Sequence, residues 1–119
     1  MDAKTRGVQG EELVANHYQE NGYVVLNKNY KTRFGEIDII VKNDETLVFV
    51  EVKTRENDTF ATPAEAVDLQ KQQRIIKTAQ AYLTQNRLSD PIMRFDVAEV
   101  LLSDDEDDEA KITVIEGAF

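Results

Sequence analysis

Apolar residues recur along this chain with two different periods, and the switches between them outline its elements. From Gly7 to about Asn21, Val8, Val14, Ala15 and Tyr18 return on one stripe at roughly 100° per residue, which predicts a helix with one buried side. Asn21-Gly22 reads as its stop, since both residues tolerate the left-handed backbone that ends helices. Tyr23 to Leu26 reads as a short strand, and Asn27 to Arg33, with Lys28, Lys31 and Arg33, as a polar, basic connection. Gly35 to Arg55 then alternates as a β-hairpin around a loop at Asn43-Asp44-Glu45-Thr46. Thr62-Pro63-Ala64-Glu65 supplies an N-cap, a proline at the first helical position and a capping-box glutamate. A helix is expected from there to about Asn86, with Ile75, Ile76, Ala79, Tyr82 and Leu83 inward. Ile92 to Leu102 and Lys111 to Glu116 read as two last strands. The order α-β-β-β-α-β-β predicts an α/β fold, a mixed sheet with helices packed on it.

The hairpin carries charges that its pattern does not need. With Lys42 opposite Leu47, Asp38 faces Glu51, Glu36 faces Lys53 and Ile40 faces Phe49, all on one side of the sheet. Ile37, Ile39, Val41, Val48, Val50 and Val52 fall on the other. Like charges directly opposed weaken a strand pair, so a hairpin shaped for stability alone would avoid Asp38 across from Glu51. A divalent cation reverses that cost. Mg²⁺ takes a few carboxylate oxygens, keeps several waters and accepts substrate phosphate. Lys53 points to the same side, where its ammonium would orient an attacking water and offset charge that develops on phosphorus. The first helix adds a fourth group, because Glu11 lies within its apolar stripe while Glu12 sits at the edge, and an inward carboxylate needs a partner. Taken alone, Glu-x-Lys is a common tripeptide, and on a solvated face Lys53 would simply bridge Glu36 or Glu51.

Composition narrows the chemistry. With no cysteine there is no disulfide and no thiolate zinc site, and the lone His17 forms no histidine cluster, so any metal is held by oxygen. At 119 residues and 41% apolar content, residues 1–119 fit one domain, with an acidic loop at 103–110. No stretch approaches the length of a membrane span, and Met1-Asp2-Ala3-Lys4 lacks a signal peptide's apolar core, so a cytoplasmic location is expected. A net charge of −9 argues against a polyanionic partner, but the run Asp104-Asp105-Glu106-Asp107-Asp108-Glu109 holds six of the acids. That run reads as a solvated loop, which leaves room for a basic face elsewhere.

Asp38, then Glu51-Val52-Lys53, preceded by a helical Glu11, resembles the PD-(D/E)xK nuclease superfamily, in particular its Holliday-junction-resolvase-like branch. "GVQGEELVA" at 7–15, "GEIDII" at 35–40, "FVEVKTR" at 49–55, "KQQRI" at 71–75, "RFDV" at 94–97 and the closing "GAF" resemble, in order, the motifs of the bacterial YraN family of predicted endonucleases. This resemblance implies a restriction-endonuclease-like αβββαβ core. It implies a metal set of Asp38, Glu51 and the main-chain carbonyl of Val52, with Lys53 as catalytic lysine and Glu11 completing the acidic site. Lys71 and Arg74 match a basic helix pattern, and each is equally well read as an ordinary exposed charge. Phe60-Ala61 stands where many relatives have a glycine, and the acidic run is an unusual addition that should repel DNA and lie away from the site.

The expected function is therefore Mg²⁺- or Mn²⁺-dependent hydrolysis of phosphodiester bonds in DNA, with branched or single-stranded structures as candidate substrates. Arg33 and Arg55, flanking the site, and Lys71 and Arg74 are its candidate nucleic-acid contacts, as are Lys28 and Lys31. Resolvase-like relatives often pair, so a homodimer is an open arrangement. One alternative is a nucleic-acid-binding or repair-accessory module that keeps the fold with little or no cleavage. Another is a protein-binding role through the acidic loop. Tyr18, Tyr82, Phe95 and Phe119 fall at core spacings, His17 on a polar flank, and Arg94 with Asp96 reads as a structural ion pair.

Overall fold

A computed structural model describes residues 2–55, 67–88, 91–102 and 110–119. Its elements are α1 (Ala3–Glu20), β1 (Val24–Thr32), β2 (Gly35–Asn43), β3 (Thr46–Arg55), α2 (Leu69–Gln85), β4 (Ile92–Leu101) and β5 (Lys111–Ile115), in the expected order. The five strands form one mixed sheet in the order β1-β2-β3-β4-β5, antiparallel except between β3 and β4. The β3–β4 pair is parallel, and α2 lies in the crossover that such a pair requires. The α/β core thus has the restriction-endonuclease-like αβββαβ order, with β5 added at the far edge.

Alternation along the central strands sends side chains to two cores. Val14, Ala15 and Tyr18 of α1 pack with Ile39, Val41, Val48, Val50, Ala98 and Val100. On the opposite side Ile75, Ala79 and Tyr82 of α2 pack with Ile40, Leu47, Phe49 and Val97. Phe95 and Phe119 stack on this second core, with ring centroids 5.1 Å apart. Asp96 is fully buried and satisfied: it accepts from the Tyr18 hydroxyl at 2.7 Å, from Arg94 Nε at 2.9 Å and from the Gly117 N–H at 3.1 Å. The ion pair expected between Arg94 and Asp96 is thus present, and it ties α1, β4 and the C-terminal turn together.

Several boundaries differ from the sequence reading. Helix α1 starts at Ala3 rather than Gly7, because Asp2 caps it by accepting from the Thr5 N–H at 2.7 Å, and Val8, assigned to the inward stripe, is half exposed. The basic connection at 27–33 is mostly strand: β1 runs on to Thr32, with a bulge at Leu26, and only Arg33 and Phe34 turn the chain. As an edge strand with one neighbour, β1 is held by main-chain bonds to β2 and tolerates polar side chains. Ile37 lies in the α2-side core instead of the α1 side, so the strict alternation of β2 breaks between Ile37 and Ile39. Thr62 to Glu65, Phe60-Ala61 and the acidic run fall outside the described residues. The second helix is nevertheless not continuous from Thr62, because Asp68 is extended (φ −73°, ψ 172°) and caps a helix that begins at Leu69. No helix among the described residues is long and apolar enough to cross a membrane.

Candidate active site

The β2–β3 hairpin has the predicted register, Lys42 with Leu47, Ile40 with Phe49 and Ile39 with Val50, and there its ladder ends. Asp38 and Glu51 therefore do not form a ladder pair, and neither do Glu36 and Lys53. Asp38 instead turns its carboxylate across the opening, where Oδ2 accepts from the Val52 N–H at 2.7 Å. On its other side β3 stays paired with β4 as far as Arg55, so Glu51, Val52 and Lys53 are carried past the point where β2 has left. The loss of one neighbour opens the sheet without loosening β3.

Two acidic side chains from the two strands meet at this opening. Burial raises the Asp38 carboxyl to about 8, and the nearby Glu51 charge, with a hydrogen-bonding contact between the two side chains, adds to the rise; the Val52 amide opposes it. Glu51 is itself buried. Lys53 Nζ lies 3.6 Å from Glu51 Oε1, and its pKa is lowered by burial and then by Lys71. Asp38, Glu51 and Lys53, brought together from sequence positions 38 to 53, thus occupy one site.

Glu11 approaches from α1. It is partly buried, and desolvation raises its pKa, helped by Glu36 and Glu51 and opposed by a hydrogen bond with Asn29 and by Lys28. Asn29 holds a positive φ of 53°, a conformation that asparagine tolerates better than most residues, just beyond the bulge in β1. No sequence signal marked Asn29 for this role. The approach of α1 depends on Gly10, where an added Cβ would collide with Thr54 Oγ1.

The candidate nucleic-acid contacts are dispersed. Lys71 is closest to the chemistry, with Nζ 2.6 Å from Glu51 Oε1, and it shares with Arg74 the lining of a cavity of about 360 Å³ that also meets Glu36, Asp38 and Glu51. Arg33 is exposed, with its guanidinium 4.9 Å from the centre of the Phe34 ring. Arg55 is partly buried and pairs with Glu99 at 3.4 Å. Lys28 and Lys31 are exposed on β1. The ion pair of Lys71 with Glu51 escaped the sequence reading, since no local pattern links the first turn of α2 to β3.

Among the described residues no group of three or more His, Asp or Glu side chains is arranged to hold a metal ion. Asp38 and Glu51 supply two carboxylates, and the remaining protein oxygen would come from the main chain, at the Val52 carbonyl. This all-oxygen set fits Mg²⁺ or Mn²⁺. The donor set itself carries the fit: the two carboxylates meet within hydrogen-bonding reach of each other, and a divalent cation relieves the repulsion of such a pair.

The family model described as "Uncharacterised protein family UPF0102" matches residues 10–100. The chain belongs to family UPF0102. Its UPF0102 relative in Caldanaerobacter subterraneus subsp. tengcongensis is 41% identical over 119 residues, 100% of this chain and 98% of the relative. That of Alkaliphilus oremlandii is 46% identical over 118 residues, 98% of each chain. A third UPF0102 protein, from Clostridioides difficile, is 42% identical over 102 residues, covering 86% of this chain and 90% of the other. The span matched by the UPF0102 model runs from the Gly10 contact through Asp38, Glu51, Lys53 and Lys71.

Proposed function

We propose that this UPF0102 protein is a divalent-cation-dependent nuclease that hydrolyses phosphodiester bonds in DNA, with branched or single-stranded structures as its candidate substrates. The observation that carries the reading is the meeting of Asp38 and Glu51 where the β2–β3 ladder ends, with Lys53 Nζ 3.6 Å from Glu51. Two carboxylates held against each other cost a fold stability, whereas a divalent-cation site for phosphodiester hydrolysis makes use of them.

Asp38, Glu51 and the Val52 carbonyl would hold Mg²⁺ or Mn²⁺, which when bound supplies Lewis-acid polarisation of the phosphate and stabilises the leaving oxygen. The chain's own residues do the rest. The Val52 N–H fixes one oxygen of Asp38, so the carboxylate is positioned before substrate arrives. Lys53, whose pKa is already lowered, orients the attacking water and exchanges protons more readily than an ordinary lysine. Its remaining positive charge offsets the negative charge that grows on the phosphoryl oxygens. Glu11 is a positioning group for water at the edge of the acidic pair. Arg74 and Lys71, which line the cavity, would contact substrate phosphate.

Incubation of duplex, single-stranded and four-way-junction DNA with Mg²⁺ or Mn²⁺ tests the proposal, comparing wild type with Glu51→Ala and Lys53→Ala. Metal-dependent cleavage that both substitutions abolish supports it. Absence of cleavage with binding of the same DNA retained would favour an accessory binding role, and cleavage that survives both substitutions would belong to a contaminant.

A further inference from the structure

Lys71 occupies the place where a cation is needed. Asp68 caps α2 and accepts from the Lys71 N–H at 2.8 Å, which fixes the first turn of the helix and the point from which the side chain leaves. Nζ reaches Glu51 Oε1 at 2.6 Å, well inside the 3.6 Å of Lys53. The two partners differ in burial: the Lys71 side chain is 36% exposed and that of Glu51 only 9%. A buried carboxylate without a counter-charge is costly, and Lys71, closer to Glu51 than Lys53 is, supplies most of that charge. The ammonium, on a flexible and partly exposed stem, can move into water at little cost, while the buried carboxylate cannot.

The geometry points to Lys71 as an exchangeable counter-ion: it neutralises Glu51 in the metal-free protein, leaves it when a divalent cation enters, and then faces the cavity beside Arg74 as a ligand for substrate phosphate. This rests on the metal-dependent reading above. Arg74 is three residues further along the same helix, which places both cations on one side of it, and both line the cavity that Asp38 and Glu51 also line. Loading with metal and readiness for phosphate would be linked events. The free protein would present an ammonium tied to its own carboxylate, and the loaded protein would present it to a polyanion.

Three measurements decide this. Calorimetric titration with Mn²⁺ should show Lys71→Met binding the ion about tenfold more tightly than wild type, since no ion pair has to break, while Lys71→Arg stays near wild type. Acetylation of wild-type protein by an amine-reactive ester, read at Lys71 by mass spectrometry, should speed up on addition of saturating Mg²⁺, and this needs no substitution. At saturating Mn²⁺, a single-stranded phosphorothioate oligonucleotide should bind Lys71→Met more weakly, with a salt slope shallower by about one. Equal Mn²⁺ affinity in Lys71→Met, an unchanged labelling rate at saturating Mg²⁺, or an unchanged salt slope would overturn the inference. If wild type and Lys71→Met both fail to take up Mn²⁺, the metal-dependent reading falls with it; if both bind alike, only the role of Lys71 falls.

Discussion

Gly10 packs directly against Thr54: a Cβ at Gly10 would run into Thr54 Oγ1 and lie 3.0 Å from Thr54 Cβ and 3.1 Å from Cγ2. Thr54 is β-branched and sits in a strand, so it has little freedom to turn away. The contact sets how close α1 comes to β3, and with it how close Glu11 comes to Glu51.

Gly10→Ala should therefore destabilise the fold by about 1–3 kcal/mol despite the better helix propensity of alanine. Gly7, on the same helix, has nothing within 4 Å of its Cβ position, and Gly7→Ala should stabilise by up to about 1 kcal/mol. Urea unfolding of the two variants checks this, and opposite signs are expected. A Gly10→Ala protein as stable as Gly7→Ala would mean that the helix–strand contact is not tight.

The buried Asp96 network should matter to stability and not to metal. Asp96→Ala removes the nearest partner of Arg94, which keeps Tyr23 and Glu116, and leaves the Tyr18 hydroxyl, already hard to ionise because of burial and the Asp96 charge, and the Gly117 N–H without their acceptor; it should cost about 2–4 kcal/mol. Tyr18→Phe, which removes one donor to Asp96, should cost about 1–3 kcal/mol. Chemical denaturation measures both, and Mn²⁺ affinity of Tyr18→Phe should equal that of wild type.

Asp38 gives a pH signature. Between its ordinary pKa of 3.8 and the raised value of about 8, the folded protein keeps a proton that the unfolded chain has released. Bound protons are then fewer in the unfolded state, so the contribution of this group to stability falls as pH rises through that window. Asp38→Asn cannot lose a proton, so in metal-free buffer its stability relative to wild type should improve by at least about 1 kcal/mol between pH 4 and pH 8. Saturating Mn²⁺ should offset that relative gain at pH 8 by stabilising wild type alone. A stability difference that stays constant across the window would contradict the burial of paired carboxylates.

Lys53 should separate chemistry from binding. Lys53→Met is expected to lower the rate of DNA cleavage by about 10²–10⁴-fold, the range of one acid–base group, while leaving Mn²⁺ affinity within a few-fold of wild type. Single-turnover cleavage alongside a Mn²⁺ isotherm checks the split.

The elements with strong periodicity were legible from sequence, and so was the centre of the site. Lys42 opposite Leu47 follows from the turn, and that register brings Asp38 and Glu51 to the same opening even though the ladder stops one pair earlier. What stayed hidden depends on long-range geometry. The splay of β2 from β3, which turns Asp38 toward the Val52 N–H and moves Ile37 to the α2 side, has no local signature. The polar half of β1 reads as a loop because an edge strand needs no apolar face. Lys71 looks like any helical lysine until α2 is docked on β2, where its first turn comes beside Glu51 of β3.

The central claim is that Asp38 and Glu51 together clasp one divalent cation, and Mn²⁺ binding by wild type, Asp38→Asn, Glu51→Gln and Lys53→Met at pH 7.5 tests it most directly. The account predicts a saturable isotherm for wild type and Lys53→Met and affinity lost by at least about tenfold in each carboxylate variant. Mn²⁺ bound as tightly by Asp38→Asn and Glu51→Gln as by wild type, or by none of the four, would contradict it.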